Sequence, residues 1–575
     1  MIILGLNAYH GDSAAAVIVD GKLIAAIEEE RIRRIKHWAG LPSESVAWCL
    51  ACTGIDIKDV DYIAISRNPL VRMQKKLSYI LMKKRNPTFL KRRLSNYSRI
   101  SDIKKDLATS LGKSEAEIRA KLVMVEHHRA HLASAFLVSP FEEAAAISID
   151  GFGDFASTMT AVGKGSKIHP LEEVNFPHSL GIFYSALTQF LGFHNYGDEY
   201  KMMGLSAFGS PVYSEALRKL VIIKKDGLFE LDPSYFLHDS HGIEMTWLNT
   251  EPNFGRLFSD KIIGLLGAPR VEGEKLDQRF HDIAASAQAV YEEIFFHMLN
   301  RLYAKTKIDK LVLAGGCIQN SLANGKIYDR TPFKYVYIPP AAYDAGGAIG
   351  AAFYVWHHVL GRPRSFVMDS PFWGPKFGMK DIRVELEKRN LKYEELKEEE
   401  LIGRVAGEIA NGGVVGWFHG RSEWGARALG NRSILADPRR KDMKDILNLR
   451  IKKREDFRPF APSILEEKTA EWFEKSEPVP FMAKVYKVKQ DKREIVPAVT
   501  HVDGTGRLQT VNRGSNPRYY DLIKRFEEIT GIPLLLNTSF NDNEPIVNTP
   551  ADALDCFMKT KIDCLVLEDF YITRT

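Results

Sequence analysis

His127, His128 and His131 fall in the run Glu-His-His-Arg-Ala-His. If residues 125–137 form a helix, His127 and His131 stand one turn apart on one face, the spacing with which two imidazoles grip a divalent metal. Asp344 lies far downstream, in a turn-like stretch that begins Pro339-Pro340 and ends in paired glycines. The chemistry these residues suggest first is that of a metalloenzyme. A histidine pair alone is a weak signal; it gains weight from its setting between two strand-turn-strand segments that resemble each other.

Those segments must position the histidines. Ile2 to Leu6 read as a strand, Asn7 to Ser13 as a polar turn carrying His10 and Asp12, and Ala14 to Val19 as a second strand. Asp20-Gly21 is a hairpin signal, and Leu23 to Ile27 complete a third strand. Ala144 to Lys167 repeat the plan around an acid-containing turn, Asp150-Gly-Phe-Gly-Asp154. Duplicated units of this kind can face each other across a cleft, each acidic turn approaching an anion or its metal. From Lys310 a buried strand runs into Gly315-Gly316 and then a helix with Asn320 and Asn324, and backbone approaches a ligand closely at such glycines. Asp198, Glu199 and Lys201 sit in Gly197-Asp-Glu-Tyr-Lys-Met-Met-Gly204, either as a helix cap or as a functional loop. His238 and His241, in an irregular stretch, read as surface loop.

The texture changes near residue 365, where prolines and glycines form a linker ahead of a charged helix at 380–410. Two domains are expected, 1–365 and 366–575. The second carries Arg421, Glu423, Arg427, Arg432 and Ser433 among glycines, then Lys452-Lys453-Arg454-Glu455 and Arg458-Pro. Guanidinium groups held against Gly, Pro and Phe suit phosphates and carboxylate-like anions. His501, Asp503 and Arg507, and later Asn537, Ser539 and Asn541, lie in turn-rich stretches. They either cap turns or hydrogen-bond an adenosine phosphate or a carbamoyl-bearing anion.

A chain of 575 residues exceeds what one core serves. Its 45% hydrophobic and 26% charged residues are those of a soluble globular protein. No apolar run approaches the roughly 20 residues that cross a bilayer, so a cytoplasmic location is the default expectation. Five scattered cysteines argue against a disulfide framework, and Cys49 and Cys52, despite CxxC spacing, read as an ordinary helix end. The net charge of +6 is local: residues 71–100 hold ten Lys or Arg and no acid. This stretch is either a solvated helical insertion or an attractor for an anionic acceptor, a phosphorylated carrier or a membrane surface. It comes with no nucleic-acid recognition motif, so no nucleic-acid partner is expected. The oligomeric state is not legible.

At these residues the chain resembles the family of nodulation-factor and antibiotic O-carbamoyltransferases, over nearly its whole length. The resemblance is carried by Gly-Leu-Asn7-x-x-His10-x-Asp12-Ser13, His127-x-x-x-His131, the Gly197–Gly204 signature, Ala314-Gly-Gly-x-x-x-Asn320-x-x-x-Asn324-Gly, and Asp344. In the second domain it is carried by Gly420-Arg421-x-Glu423-x-Gly-x-Arg427-Ala-Leu-Gly430-x-Arg432-Ser, Lys453-Arg454-Glu455-x-Phe-Arg458-Pro, His501-x-Asp503 and Asn537-Thr-Ser539-Phe-Asn541. Two positions depart from the pattern: Ala426 where proline is expected, and Cys317 where a small apolar residue is common.

The resemblance implies an α/β protein: a duplicated actin-like, ribonuclease-H-type domain followed by an open α/β domain of the YrdC-like type. The first is similar to the domain of tRNA threonylcarbamoyl transfer, with a divalent metal, Fe2+ ahead of Zn2+ or Mn2+, on His127, His131 and Asp344. The implied reaction makes carbamoyl-adenylate from carbamoyl phosphate and ATP with Mg2+, then carbamoylates a hydroxyl of a sugar-containing or secondary metabolite. His10, Asp12, Arg421, Lys453 and Arg458 are the catalytic candidates. Asp150, Asp154, Glu199, Lys201, Gly315, Gly316, Asn320, Asn324, Arg427, Arg432, Ser433, Arg454, His501, Asp503, Arg507, Asn537, Ser539 and Asn541 are candidates for substrate and nucleotide binding. An actin-like small-molecule kinase competes, because the fold also serves kinases. Threonylcarbamoyl transfer to tRNA and a nucleotide-regulated RNA-binding scaffold are the remaining alternatives.

Overall fold

Two sheets of the same design account for the first part of the chain. Strand β1 (Ile2–Asn7) pairs antiparallel with β2 (Ala14–Val19), which pairs antiparallel with β3 (Lys22–Glu28). On the other side of β1 lie β4 (Tyr62–Ile65) and β5 (Lys121–Met124), both parallel. The second sheet repeats this with β6 (Glu143–Gly153), β7 (Ala156–Lys164) and β8 (Lys167–Asn175) antiparallel, and β9 (Lys310–Ala314) and β10 (Tyr335–Tyr337) parallel. The orders β3-β2-β1-β4-β5 and β8-β7-β6-β9-β10 are one topology used twice, which is the duplicated actin-like architecture. The central strands are runs of Ala, Val, Ile and Leu because both their faces are covered.

The helices on these sheets that matter for the site are α1 (Met73–Met82), α2 (His127–Phe136) and α3 (Gly346–Phe353). Helix α2 starts at Glu126, whose side chain accepts from Arg129 N. Helix α3 lies so close to α2 that a Cβ on Gly350 would come within 1.9 Å of the Ala130 carbonyl oxygen. Only glycine allows that approach. It brings Asp344, two residues ahead of α3, against the histidines of α2.

This computed structural model describes residues 1–82, 100, 102–239, 245–246 and 249–574. His241 and most of the basic stretch, 83–99, lie outside the described residues. The chain divides into two compact units: Met1–Asn320 with Lys326–Met368, and Asp369–Thr575 with Ser321–Gly325. The second unit is a nine-stranded mixed sheet. In chain order its strands are β11 (Glu394–Glu395), β12 (Val415–Phe418), β13 (Arg432–Ala436), β14 (Ala461–Leu465), β15 (Lys484–Lys487), β16 (Thr505–Val511), β17 (Leu534–Ser539), β18 (Cys564–Leu567) and β19 (Phe570–Thr573). Their spatial order is β11-β19-β18-β12-β13-β17-β14-β16-β15. Helices α4 (Glu398–Ala410) and α5 (Pro517–Thr530) pack together over its core of Leu, Ile, Val and aromatic side chains. Among the described residues no helix is long and apolar enough to cross a membrane.

Candidate functional site

In the first unit, α2 presents His127 and His131 on one face, as their spacing requires. Each Nε2 lies 3.0 Å from Asp150 Oδ2, and the two Nε2 atoms are 3.0 Å from each other. Asp344 Oδ1 is 3.6 Å from His127 Nε2 and 3.3 Å from His131 Nε2. All four side chains are buried, and one ligand atom from each lies within 4.8 Å of the others. Two imidazole nitrogens and two carboxylate oxygens converging on one point cannot all be satisfied by hydrogen bonds among themselves. A divalent cation satisfies all four, so the residues present fit a metal.

The electrostatics agree with that fit. Burial favours the neutral form of Asp150, but its contacts with His127 and His131 outweigh this and hold its carboxyl well below the usual range. Burial likewise disfavours protonation of His131, yet Asp150 and Asp344 lift its pKa to about 9, as the cation-attracting field of two carboxylates requires. His128 faces away, with Nδ1 2.8 Å from Ser148 Oγ, and burial beside two other imidazoles lowers its pKa to about 3.

The loops around the four groups explain the local sequence. Asp150 Oδ1 accepts from its neighbour Gly151 N and from Gly316 N at 3.2 Å. A Cβ on Gly315, whose φ is +96°, would meet the Ile149 carbonyl oxygen at 2.1 Å, and one on Gly316 would meet Asp150 Oδ1 at 2.8 Å. The paired glycines therefore exist to let backbone reach Asp150. His10 Nδ1 is paired with Asp344 Oδ2, and burial, which lowers its pKa, is outweighed by that carboxylate. Asp12 Oδ1 lies 2.7 Å from His37 Nδ1, and Glu30 accepts from His37 N. Burial raises the Asp12 pKa to about 6. Burial works against His37 as an imidazolium, but Asp12 and Glu30 raise its pKa to about 9. Asp154 accepts from Asn68 N and His127 N, so it anchors the start of α2.

In the second unit four arginines converge. Burial drives the Arg507 pKa down, and the charges of Arg427, Arg454 and Arg458 drive it further. Arg507 Nε is buried without a hydrogen-bond partner. Beside it His501 has its pKa lowered to about 4 by burial and by Arg507 and Lys444. Like charges held together at a fold's expense, with a donor left over, mark an anion site.

Family models for the N-terminus and the C-terminus of carbamoyltransferases match residues 2–353 and 406–574. The chain belongs to the carbamoyltransferase family. It is 41% identical to an uncharacterized Synechocystis protein, sll1178, across 100% of this chain and 97% of that protein. It is 39% identical to the nodulation protein NolNO of Sinorhizobium fredii, across 99% of this chain and 80% of that protein. Among solved structures, HypF of T. kodakarensis aligns with a TM-score of 0.32 and 16% identity over 63% of this chain and 48% of that one, a likeness too slight to define a fold. The reaction class is ATP-dependent O-carbamoyl transfer.

Within this carbamoyltransferase several residues stand elsewhere than the sequence suggests. Arg432 is fully buried: its Nη1 donates to the carbonyls of His419 and Asn431, its Nη2 to those of Pro375 and Gly420, and its guanidinium stacks 3.5 Å from the Phe418 ring centroid. Its assignment to phosphate binding is corrected to loop support. Arg421 directs Nε and Nη2 to the carbonyls of Gly374 and Trp373. Lys453 is exposed in the left-handed region at φ 47°, whereas Lys452 is buried and donates to Ser539 and Asn541, a role its neighbour drew away in the sequence. Ser433 Oγ accepts from Gly430 N. Asn537 Nδ2 donates to Ala428 O, Ser463 Oγ and Gln509 Oε1, and Asp503 caps the turn at Thr505.

Asn320 pairs with Gln288 in the first unit, whereas Asn324 belongs to the second, donating to Ala483 O. Lys201 is ion-paired to Asp198 at 2.9 Å. Glu199 accepts from Ser185 Oγ, and burial raises its pKa. His238 is buried rather than on the surface, with Nε2 donating to Pro177 O. Asp150, read from the sequence as an acid in a turn approaching an anion or its metal, joins the metal cluster; Glu423, a residue of the arginine-bearing motif, accepts at Oε1 from Leu429, Asn431 and Arg432 N–H groups; His37 beside Asp12 had no distinguishing signal in the sequence.

Proposed function

We propose that the second unit, read as a YrdC-like domain, makes carbamoyl-adenylate, and that the first unit transfers its carbamoyl group to a hydroxyl of a sugar-containing or secondary metabolite. The observation that supports this is the arginine cluster around Arg507, with its buried, unpartnered Nε. Carbamoyl phosphate and ATP together are a strongly anionic pair, and Arg427, Arg454, Arg458 and Arg507 balance their phosphate charge. The atoms balance if water releases phosphate from carbamoyl phosphate and the carbamate oxygen forms the new bond to the α-phosphorus of ATP, expelling pyrophosphate. Mg2+ accompanies the ATP.

In the first unit His127, His131, Asp150 and Asp344 would hold the metal. Bound there, Fe2+, Zn2+ or Mn2+ supplies Lewis acidity toward an anionic oxygen of the adenylate. His10, oriented by Asp344, accepts the proton of the acceptor hydroxyl as its oxygen attacks the carbamoyl carbon and AMP leaves. Gly316 brings its backbone N–H to Asp150 in the same place, and Asp12 with His37 holds the His10 loop.

The test is an acceptor screen with labelled carbamoyl phosphate and ATP, read by mass analysis, with pyrophosphate and AMP measured in parallel. Carbamoylated product that requires ATP, with AMP formed in equal amount, is expected. Product formed at full rate without ATP, or γ-phosphate on the acceptor as a kinase gives, overturns the reading.

A further inference from the structure

The run Glu28-Glu29-Glu30-Arg31 closes strand β3 and opens a five-residue helix, Glu29–Arg33, and of its side chains the site described above uses Glu30 alone. Three of them are buried: Glu28 is 1%, Glu29 0% and Arg31 5% exposed. A buried carboxylate is costly unless it is paired, and an interior ion pair adds little stability that apolar side chains of the same volume would not supply. Each buried charge therefore calls for a geometric reason. For Glu29 the reason is local: Oε2 accepts from Ser45 N at 2.7 Å and Oε1 from Glu44 N at 3.1 Å, which ties down the start of the helix Ser43–Thr53.

Glu28 reaches across the fold. Its Oε2 accepts from Arg31 Nε at 2.9 Å and its Oε1 from the Tyr343 phenol at 2.8 Å, 315 residues further along the chain. Tyr343 immediately precedes Asp344, whose two oxygens have separate duties: Oδ1 faces the Nε2 atoms of His127 and His131, and Oδ2 faces His10 Nδ1. That division holds only while the turn carrying Asp344 cannot rotate. On its C-terminal side the turn is held by α3, where Gly346 N donates to Tyr343 O and Gly347 N to Asp344 O, both at 2.9 Å. On its N-terminal side the Tyr343 phenol is held by Glu28. The same run also holds the His10 loop, because Glu29 N donates to Ser13 O at 2.9 Å and Glu30 accepts from N–H of His37, the partner of Asp12. Both halves of the His10–Asp344 pair are thus referred to one short segment.

We propose that Tyr343, seated on Glu28, is a positioning residue of the metal centre: it fixes the Asp344 carboxylate so that one oxygen is presented with the two imidazoles and the other to His10. The inference rests on the reading of His127, His131, Asp150 and Asp344 as metal ligands and goes beyond it, since neither Tyr343 nor Glu28 is itself a ligand. Groups that orient a ligand from behind tune metal affinity by about 10- to 100-fold. A fold-supporting role would instead show in the melting temperature alone.

Titration of the full-length protein, freed of metal, with Co2+ and followed by its visible ligand-field absorption, decides it. Tyr343→Phe, which removes one oxygen, should bind Co2+ about ten-fold more weakly than the wild type, with an altered absorption spectrum. Glu28→Gln keeps an oxygen that can accept from the phenol and should stay within about three-fold of the wild type. Glu29→Gln should lower the melting temperature at unchanged Co2+ affinity, because Glu29 ties down another helix. Wild-type affinity and spectrum in Tyr343→Phe, or an equal loss of affinity in Glu29→Gln, overturns the proposal and leaves the ligand assignment standing. A wild type that binds no Co2+ removes the ligand assignment, and the proposal with it.

Discussion

The two charged centres of this protein are built on opposite principles. In the first unit, imidazoles and carboxylates of complementary character converge, and the remaining frustration is relieved by one cation. In the second, arginines crowd around Arg507, with Glu455 3.5 Å from Arg458 as a local counter-charge, and the excess positive charge suits an anion. The first can be assembled from a helix, a strand end and a turn whose groups attract one another. The second needs a fold that holds repelling groups in place, and the buried Glu423 carboxylate, accepting three backbone N–H groups of the arginine-bearing loop, is part of that hold.

The contrast is broken most sharply by removing one member of each centre. His127→Ala or Asp150→Asn should lower transfer by about 10³-fold or more, with bound metal falling in parallel while ATP- and carbamoyl-phosphate-dependent pyrophosphate release persists. Metal retained at the wild-type level would sink the ligand assignment. Arg507→Met should do the reverse, cutting pyrophosphate release by about 10²-fold and leaving metal content unchanged. Its melting temperature should rise or hold, because a repelling charge has gone. Glu423→Ala strands three buried N–H donors, so a loss of about 2–4 kcal/mol in a denaturant titration is expected, larger than for either centre's own residues.

A smaller effect sharpens the comparison by pH. Burial opposes the His37 imidazolium, but Asp12 and Glu30 raise its pKa to about 9 in the fold. The protonated form therefore contributes stability that is fully present below the ordinary value of 6.5 and is lost as pH rises through about 9. Asp12, raised to about 6, is still losing its proton at the low end of that window and is largely ionised over the rest of it. The melting temperature of the wild type should fall between pH 6.5 and 9, and that slope should flatten in His37→Gln. Smallest of all, Asp503→Asn should cost less than about 1 kcal/mol in the same titration, because Asp503 is an exposed turn cap.

Much of the metal centre was legible because its information is local. His127 and His131 are one helical turn apart, and a helix period is a property of sequence. The duplicated hairpins were legible for the same reason, as alternations of strand and turn around Asp12 and Asp150. Asp150 was legible as a turn acid but not as a partner of those histidines, because nothing in a strand end states which helix will cross it. Arg432 shows the opposite failure: its neighbours Gly430 and Ser433 looked like an anion loop, yet the side chain holds that loop's own carbonyls. Lys452 and Lys453 are chemically identical in sequence, and only the left-handed backbone at Lys453 turns one inward and the other out.

Sequence by itself determined the spacings: the helical pair of histidines, the strand order within each hairpin, the glycines that permit close approach, and the excess of guanidinium groups in the last third. Tertiary structure alone decided which of those groups meet. A strand beginning after α2 supplies one carboxylate, Asp150, and a turn more than 200 residues away supplies the other, Asp344, while arginines from three separate segments share one field. The reason is physical: periodicity is set by backbone geometry that every residue carries with it, whereas burial and charge are properties of an environment that exists only after the chain has closed on itself.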